Sequence, residues 1–164
     1  MTSETLIEEL HREFAIMKRE LKLKSTFNDL EKIYFLSDMV LKDGFVSKHL
    51  SRIISHRIVD TYLSWVYYLQ SLVVPNPGML VNITESQMFT DEEKDQMMQT
   101  IAKILAFTSQ NSVIALTKDK KKEAEFIDSS VAFWNKTINP ALQKFMHKAH
   151  ESWQKKAGHP QKKK

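Results

Sequence analysis

Two small clusters of carboxylate and imidazole groups stand at spacings that place them on one face of a helix. Glu8 and His11 are three residues apart, and His147 and His150 repeat that step beside Glu151. Carboxylate-bridged metal centres in helical bundles use a Glu-x-x-His motif twice, with further glutamates from other helices. The chain has no second copy of the motif, and a site on one helix alone lacks enough ligands. We therefore predict no metal site and no cofactor.

A third candidate is the pair Arg52 and His56, which lie one helical turn apart on the same face, close to Arg57 and Asp60. This pair resembles the motif of the HEPN family of small helical-bundle ribonucleases. The resemblance implies RNA cleavage without a metal, carried out by Arg52 and His56. In this chain three residues separate the pair, where that family usually has four to six, and Ile53 follows the arginine in place of a polar residue. The alternative is that both are polar side chains of an amphipathic helix.

Several other chemistries are excluded by composition. The three glycines stand at positions 44, 78 and 158, so no glycine-rich phosphate loop can form. The absence of cysteine removes disulfides, thiolate zinc sites and cysteine nucleophiles. Serines are scattered, with no nucleophile elbow and no strand on which to build one, which makes acyl transfer an unsuitable assignment.

Basic charge is concentrated at the C-terminal end. The net charge of the chain is +4. From Ala141 onward there are seven lysines and one acid, Glu151, which gives this end a net charge of +6, so the preceding residues carry −2. Lysines can contact phosphate as point charges, which gives weak, salt-sensitive binding without sequence reading. Nucleic-acid binding is therefore possible through the tail, where a solubilising role is the alternative. The candidate binding residues are Lys155, Lys156, Lys162, Lys163 and Lys164.

Nothing in the sequence predicts export or membrane insertion. The first ten residues carry three glutamates and lack the basic start and apolar block of a signal peptide. The most apolar window, residues 58–74, includes Asp60 and is shorter than the roughly 20 residues of a spanning helix. We predict a cytoplasmic protein without a membrane partner.

The fold class follows from few breakers and a helical spacing of apolar residues. Only three glycines and four prolines interrupt the chain, so turns are few and elements long. We predict an all-α, single-domain bundle of five main helices. The first three cover about 4–22, 27–41 and 46–74, with the third as the central helix; the fourth begins at the Thr90 cap. The fifth follows a charged turn at 118–122 and is kinked or broken near Pro140.

The sequence does not decide the secondary structure of two segments. The polar run 108–112 either breaks the fourth helix or forms one polar step within it. The connection 75–89 opens with Pro75-Asn76-Pro77-Gly78 and is long and apolar. Long structureless loops are unusual in compact domains. We expect this connection to pack across a bundle end or to form a short extended piece, and it is a candidate docking surface.

Together these observations predict a helical domain over 1–154 and a disordered basic tail over 155–164. No catalytic constellation is evident, whereas helical apolar stripes are abundant. The favoured function is a non-catalytic interaction module that self-associates or docks a protein partner through an apolar helix face. The alternatives are the Arg52 and His56 ribonuclease and the lysine-tail nucleic-acid binder.

Overall fold

The computed structural model describes residues 2–158, and these residues form one compact all-helical chain without strands. The helices are α1 (Ser3–Leu21), α2 (Phe27–Tyr34), α3 (Leu36–Asp43), α4 (Leu50–Val73), α5 (Leu80–Ser86), α6 (Asp91–Thr117), α7 (Lys120–Phe133) and α8 (Asn139–Gly158). A π-helical turn, Trp134–Ile138, joins α7 and α8 without a break. Counting α7 to α8 as one helix, the described residues contain seven helices, and the predicted number of five is wrong.

One extra helix arises because the predicted second helix is divided at Phe35. This residue adopts the left-handed conformation (φ 54°), and its N–H bonds to the Glu31 carbonyl to close α2. Positive φ is uncommon in residues other than glycine, so the sequence offered no local signal for the break. The Arg57 side chain donates to the freed Tyr34 carbonyl at 2.7 Å. The division lets α2 pack on α4 and α7 while α3 packs on α1.

The central position predicted for the third helix is confirmed, because α4 packs against α1, α2, α5, α6 and α7. Tyr62 lies at its centre and is fully buried. The Tyr62 hydroxyl donates to the Ser130 carbonyl at 2.9 Å. Its ring centroid lies 5.5 Å from that of Phe107 and 5.6 Å from that of Phe133. This aromatic cluster ties α4, α6 and α7 into one core.

The other extra helix is α5, which lies inside the connection 75–89. The alternative of a short extended piece is wrong, because residues 80–86 are helical, whereas the connection does pack against the end of α4. The Ser86 hydroxyl donates to the Leu72 carbonyl at 2.6 Å, which ties the end of α5 to the end of α4. Short helices gain their stability from such tertiary contacts rather than from sequence propensity.

The start predicted for α6 is confirmed. The Thr90 hydroxyl accepts from the Glu93 N–H, and the Glu93 carboxylate accepts from the Thr90 N–H, which makes a reciprocal capping box. α6 then runs without interruption through 108–112, so the polar run is a step within the helix. Thr108 and Asn111 are buried members of that run.

The helix also continues through Pro140, so of the predicted kink or break, the break is wrong. Proline lacks an N–H, and its ring clashes with the carbonyl four residues earlier in a regular α-helix. The π-helical turn immediately before it removes this conflict by inserting one residue: the Asn139 N–H bonds to the carbonyl of Trp134, five residues back. The sequence locates the irregularity correctly, and the structure gives it the form of a π-helical turn.

The C-terminal end is helical further than predicted. α8 includes Lys155 and Lys156 in its last turn and ends at Gly158. The predicted disordered tail is therefore wrong for residues 155–158, and the part of the prediction that concerns 159–164 lies outside the described residues. Over residues 2–158, none of the helices is both long and apolar enough to cross a bilayer.

Candidate functional site

The Arg52 side chain, in the first turn of α4, is fixed by two partners from other helices. Its Nη1 donates to Glu123 Oε2 on α7 at 3.2 Å, and its Nη2 donates to Asn111 Oδ1 on α6 at 2.5 Å. Asn111 is a buried residue of the polar run in α6, and its amide oxygen finds its donor in Arg52. The arginine is thus held in one orientation by three helices.

Glu123 is the centre of this network and is almost completely buried. It accepts hydrogen bonds from Arg52 and from the Ser51 hydroxyl, and Lys120 Nζ lies 3.4 Å from its Oε1. Burial alone would raise the pKa of Glu123, but the hydrogen bond from Ser51, the charge of Lys120 and the hydrogen bond from Arg52 together lower the pKa below its ordinary value. The carboxylate is therefore ionised at neutral pH.

A cavity of about 540 Å³ opens beside this network. Its wall brings together both residues of the Arg52 and His56 pair, as the sequence predicted for a shared helix face. The floor is apolar, and the rest of the wall comes from the α4 start and the α6–α7 turn. The complete lining is Ser47, His49, Arg52, Ile53, His56, Ile114, Ala115, Lys118, Lys120 and Glu123.

The side chains around this cavity, which we call the Arg52 cavity, carry a net positive charge that favours an anionic ligand. Arg52, Lys118 and Lys120 supply three positive charges against the one negative charge of Glu123, and His49 and His56 add imidazoles that can exchange protons. His56 is exposed at the wall. Arg52 donates hydrogen bonds to Glu123 and Asn111, so only its remaining N–H groups can donate to a ligand.

The other candidate residues do not form a site of this kind. His11 packs against Phe27, with ring centroids 4.1 Å apart. His147 and His150 line a separate cavity of about 350 Å³ together with Trp65 and Trp134. Within residues 2–158, no group of three or more His, Asp or Glu side chains is arranged to hold a metal.

The predicted phosphate-binding lysines are only partly described. Lys155 and Lys156 are exposed in the last turn of α8, where their charge also interacts favourably with the helix dipole. Lys162, Lys163 and Lys164 lie outside the described residues.

A second surface carries a long exposed apolar stripe, which we call the α6 face. Seven residues project within a narrow sector along one side of α6, none of them is charged, and all are exposed: Met98, Ala102, Leu105, Ser109, Ser112, Val113 and Leu116. The large members are Leu116 at 86% exposure, Val113 at 56%, Met98 at 49% and Leu105 at 45%. At 1.5 Å per residue the stripe is about 27 Å long. The inner side of α6 packs on α4 and α7.

A second exposed apolar group surrounds α5, as expected if the 75–89 connection presents a surface. Val74, Met79, Leu80 and Val81 are all more than half exposed. Glu85 at the inner side of α5 accepts hydrogen bonds from Tyr68 and from the Trp153 indole, which fix the helix to α4 and α8.

Sequence reasoning missed the buried partners of the Arg52 network and one surface. Glu123 and Asn111 are 71 and 59 residues from Arg52, and only tertiary packing brings them to it. Ser51 is the neighbour of Arg52 in sequence, but its partner is Glu123. The α6 face did leave a signal, since its apolar residues recur at helical spacing next to the buried stripe of Met97, Ile101 and Ile104, about 100° further around the helix. No known family model, curated protein or solved structure matches this chain.

Proposed function

We propose that this chain is a non-catalytic helical interaction module that docks a protein through the α6 face. The observation that carries the proposal is the uncharged, exposed stripe from Met98 to Leu116. Single exposed apolar residues are normal on protein surfaces, whereas a contiguous stripe is typical of an interaction site. The stripe belongs to a helix whose inner side packs on α4 and α7, and a preformed helix loses less conformational entropy on binding than a segment that must fold.

The mode of docking proposed is helix against helix. An amphipathic helix recognises its partner through residues at steps of three and four, and the α6 face has this spacing from Met98 through Leu105 to Leu116. Three small residues, Ala102, Ser109 and Ser112, alternate with larger ones along the stripe and leave room for a partner helix to approach. The larger side chains are Met98, Leu105, Val113 and Leu116.

The proposal predicts site-specific cross-linking in cells that express the chain. A photoreactive benzophenone side chain placed at position 105 or at position 116 should give a discrete cross-linked protein product. The matched control is position 80, since Leu80 is a leucine of similar exposure, 77%, on α5. Cross-linked products are separated by denaturing electrophoresis. The proposal is wrong if positions 105 and 116 give no discrete product, or if position 80 gives the same products with equal yield.

A second candidate function is metal-independent RNA cleavage in the Arg52 cavity. The observation that favours it is the convergence of Arg52 and His56 with Lys118 and Lys120 on one concave wall. In this reaction His56 accepts the proton of a ribose 2′-hydroxyl, whose oxygen attacks the adjacent phosphorus. The bond to the 5′-oxygen breaks, that oxygen takes a proton from water, and a 2′,3′-cyclic phosphate remains. The cationic side chains stabilise the charge that develops on the phosphate.

This candidate predicts that His56→Ala reduces RNA cleavage by about 100-fold or more, the usual contribution of a general base. His150→Ala, which removes another exposed histidine, should leave the rate unchanged. The assay follows a labelled single-stranded RNA in the presence of EDTA. Cleavage that survives His56→Ala at the original rate, or that is absent from the unmodified chain, rules the ribonuclease out.

A further inference from the structure

We infer that the α6 face binds the same face of a second copy of this chain, with the two α6 helices antiparallel. This inference rests on the proposed function, because it names the partner of the proposed docking surface. The occupant is indicated by the charges at the two ends of the stripe and by the order of side chains along it.

The two ends of the α6 face carry opposite charge of equal size. Residues 91–95 contain four acids and one lysine, a net charge of −3, and residues 118–122 contain four lysines and one aspartate, a net charge of +3. Most of these side chains are exposed. Apart from Glu93 with Lys148 and Lys120 with Glu123, the described part of the chain provides no ion pair for them. Both ends are therefore available to an external partner.

Antiparallel pairing of two copies brings opposite charges together at both ends of the α6 face. A twofold axis near residue 107 places Met98 opposite Leu116 of the second copy, and Leu105 opposite Ser109. α6 ends at Thr117, so this arrangement brings the acidic first turn of each α6 close to the lysine-rich segment 118–122 that follows α6 in the other copy, where net charges of −3 and +3 attract each other. Homodimers are usually twofold symmetric, and a twofold interface must be self-complementary in this sense.

Other arrangements leave charge unbalanced. A parallel pair would bring the two acidic ends together and the two lysine-rich ends together, and like charges in an interface oppose association. An acidic or a basic partner helix would complement only one end. An uncharged helix would complement neither. The dipolar pattern of the α6 face thus fits a second copy of itself better than it fits these partners.

The inference is tested with two charge-reversed variants of the full chain. The first carries Asp91→Lys, Glu92→Lys and Asp95→Lys; the second carries Lys118→Glu, Lys121→Glu and Lys122→Glu. Glu93 and Lys120 are kept, because they take part in intrachain ion pairs. Circular dichroism checks that both variants fold, and Lys121→Glu with Lys122→Glu replaces the second variant if the triple change does not fold.

Sedimentation velocity is run up to about 300 µM, since an interface one helix wide belongs to the small, weak class of specific interfaces. We expect the unmodified chain to dimerise and each variant alone to dimerise at least about tenfold more weakly. An equimolar mixture of the two variants should recover dimers, and added salt should reduce the differences. Mixing that fails to recover dimers, or variants that dimerise like the unmodified chain, overturns the inference.

A chain that stays monomeric throughout the series also overturns the inference. In that case the proposed function is judged separately by cross-linking in cells: a product between position 116 and another protein keeps the proposed function, and the absence of any product removes both.

Discussion

Replacing Glu123 by alanine is expected to lower the free energy of unfolding by about 3 kcal/mol, because it leaves Arg52 and the Ser51 hydroxyl without their buried acceptor. Removing one partner of a buried ion pair is among the most destabilising single changes in proteins, and the partial exposure of Arg52 keeps the loss from being larger. Urea unfolding, followed by circular dichroism, measures this change in the free energy of unfolding.

Glu125→Ala is the matched control, since Glu125 is an exposed glutamate on the same helix. Its effect should stay within about 0.5 kcal/mol, as for most surface substitutions. If Glu123→Ala and Glu125→Ala have equal effects, the network around Arg52 does not stabilise the junction of α4, α6 and α7.

The same network makes a signed prediction for pH. The pKa of Glu123 is lower in the folded chain than its ordinary value of 4.5. Its contribution to stability is therefore fully present above about pH 4.5, and it is lost as the pH falls through the lowered pKa. The difference in stability between the unmodified chain and Glu123→Gln should be largest near neutral pH and should shrink in acid. A difference that stays constant down to about pH 3 would contradict the pKa direction.

Tyr62→Ala is expected to be at least as damaging, with a loss of about 4 kcal/mol or failure to fold. The substitution removes a fully buried ring from contact with Phe107, Phe133 and Trp134, and it leaves the Ser130 carbonyl without its donor. Large aromatic-to-alanine changes in cores cost about 3–5 kcal/mol.

Tyr67→Ala provides the comparison for this core change, because Tyr67 is an exposed tyrosine of the same helix. Thermal and urea unfolding of both variants should separate them clearly. Similar stabilities would mean that the aromatic cluster around Tyr62 does not form the core that joins α4, α6 and α7.

Features of the fold that depend on local chemistry were predictable from the sequence. The capping box at Thr90 and Glu93 is formed by residues three apart, and the broad apolar pattern of α4 marks it as the helix with neighbours on several sides. Features that depend on tertiary contact were not. Phe35 takes a left-handed conformation because the packing of α2 and α3 on different neighbours requires it, and α5 is held by contacts with α4 and α8.

The candidate site shows the same division. The helical step between Arg52 and His56 was enough to place them on one wall, but the cavity and the fixed orientation of Arg52 depend on Asn111 and Glu123 from other helices. Pro140 lies between these two cases. Its missing N–H predicts an irregularity at the right place. The chain forms a π-helical turn there rather than a break, which keeps Ile138 and Leu142 buried on either side.

The charge-free α6 face is the feature on which the functional account depends, and cysteine cross-linking tests its pairing most directly. The chain has no cysteine, so Met98→Cys and Leu116→Cys variants each carry a single thiol. Antiparallel pairing places position 98 of one copy opposite position 116 of the other, and like positions about 27 Å apart. Under mild oxidation, a mixture of the two variants should form a disulfide-linked heterodimer, and each variant alone should remain uncrosslinked. Disulfide dimers formed by each variant alone but not between the two, or no cross-linking in the mixture, would contradict the account.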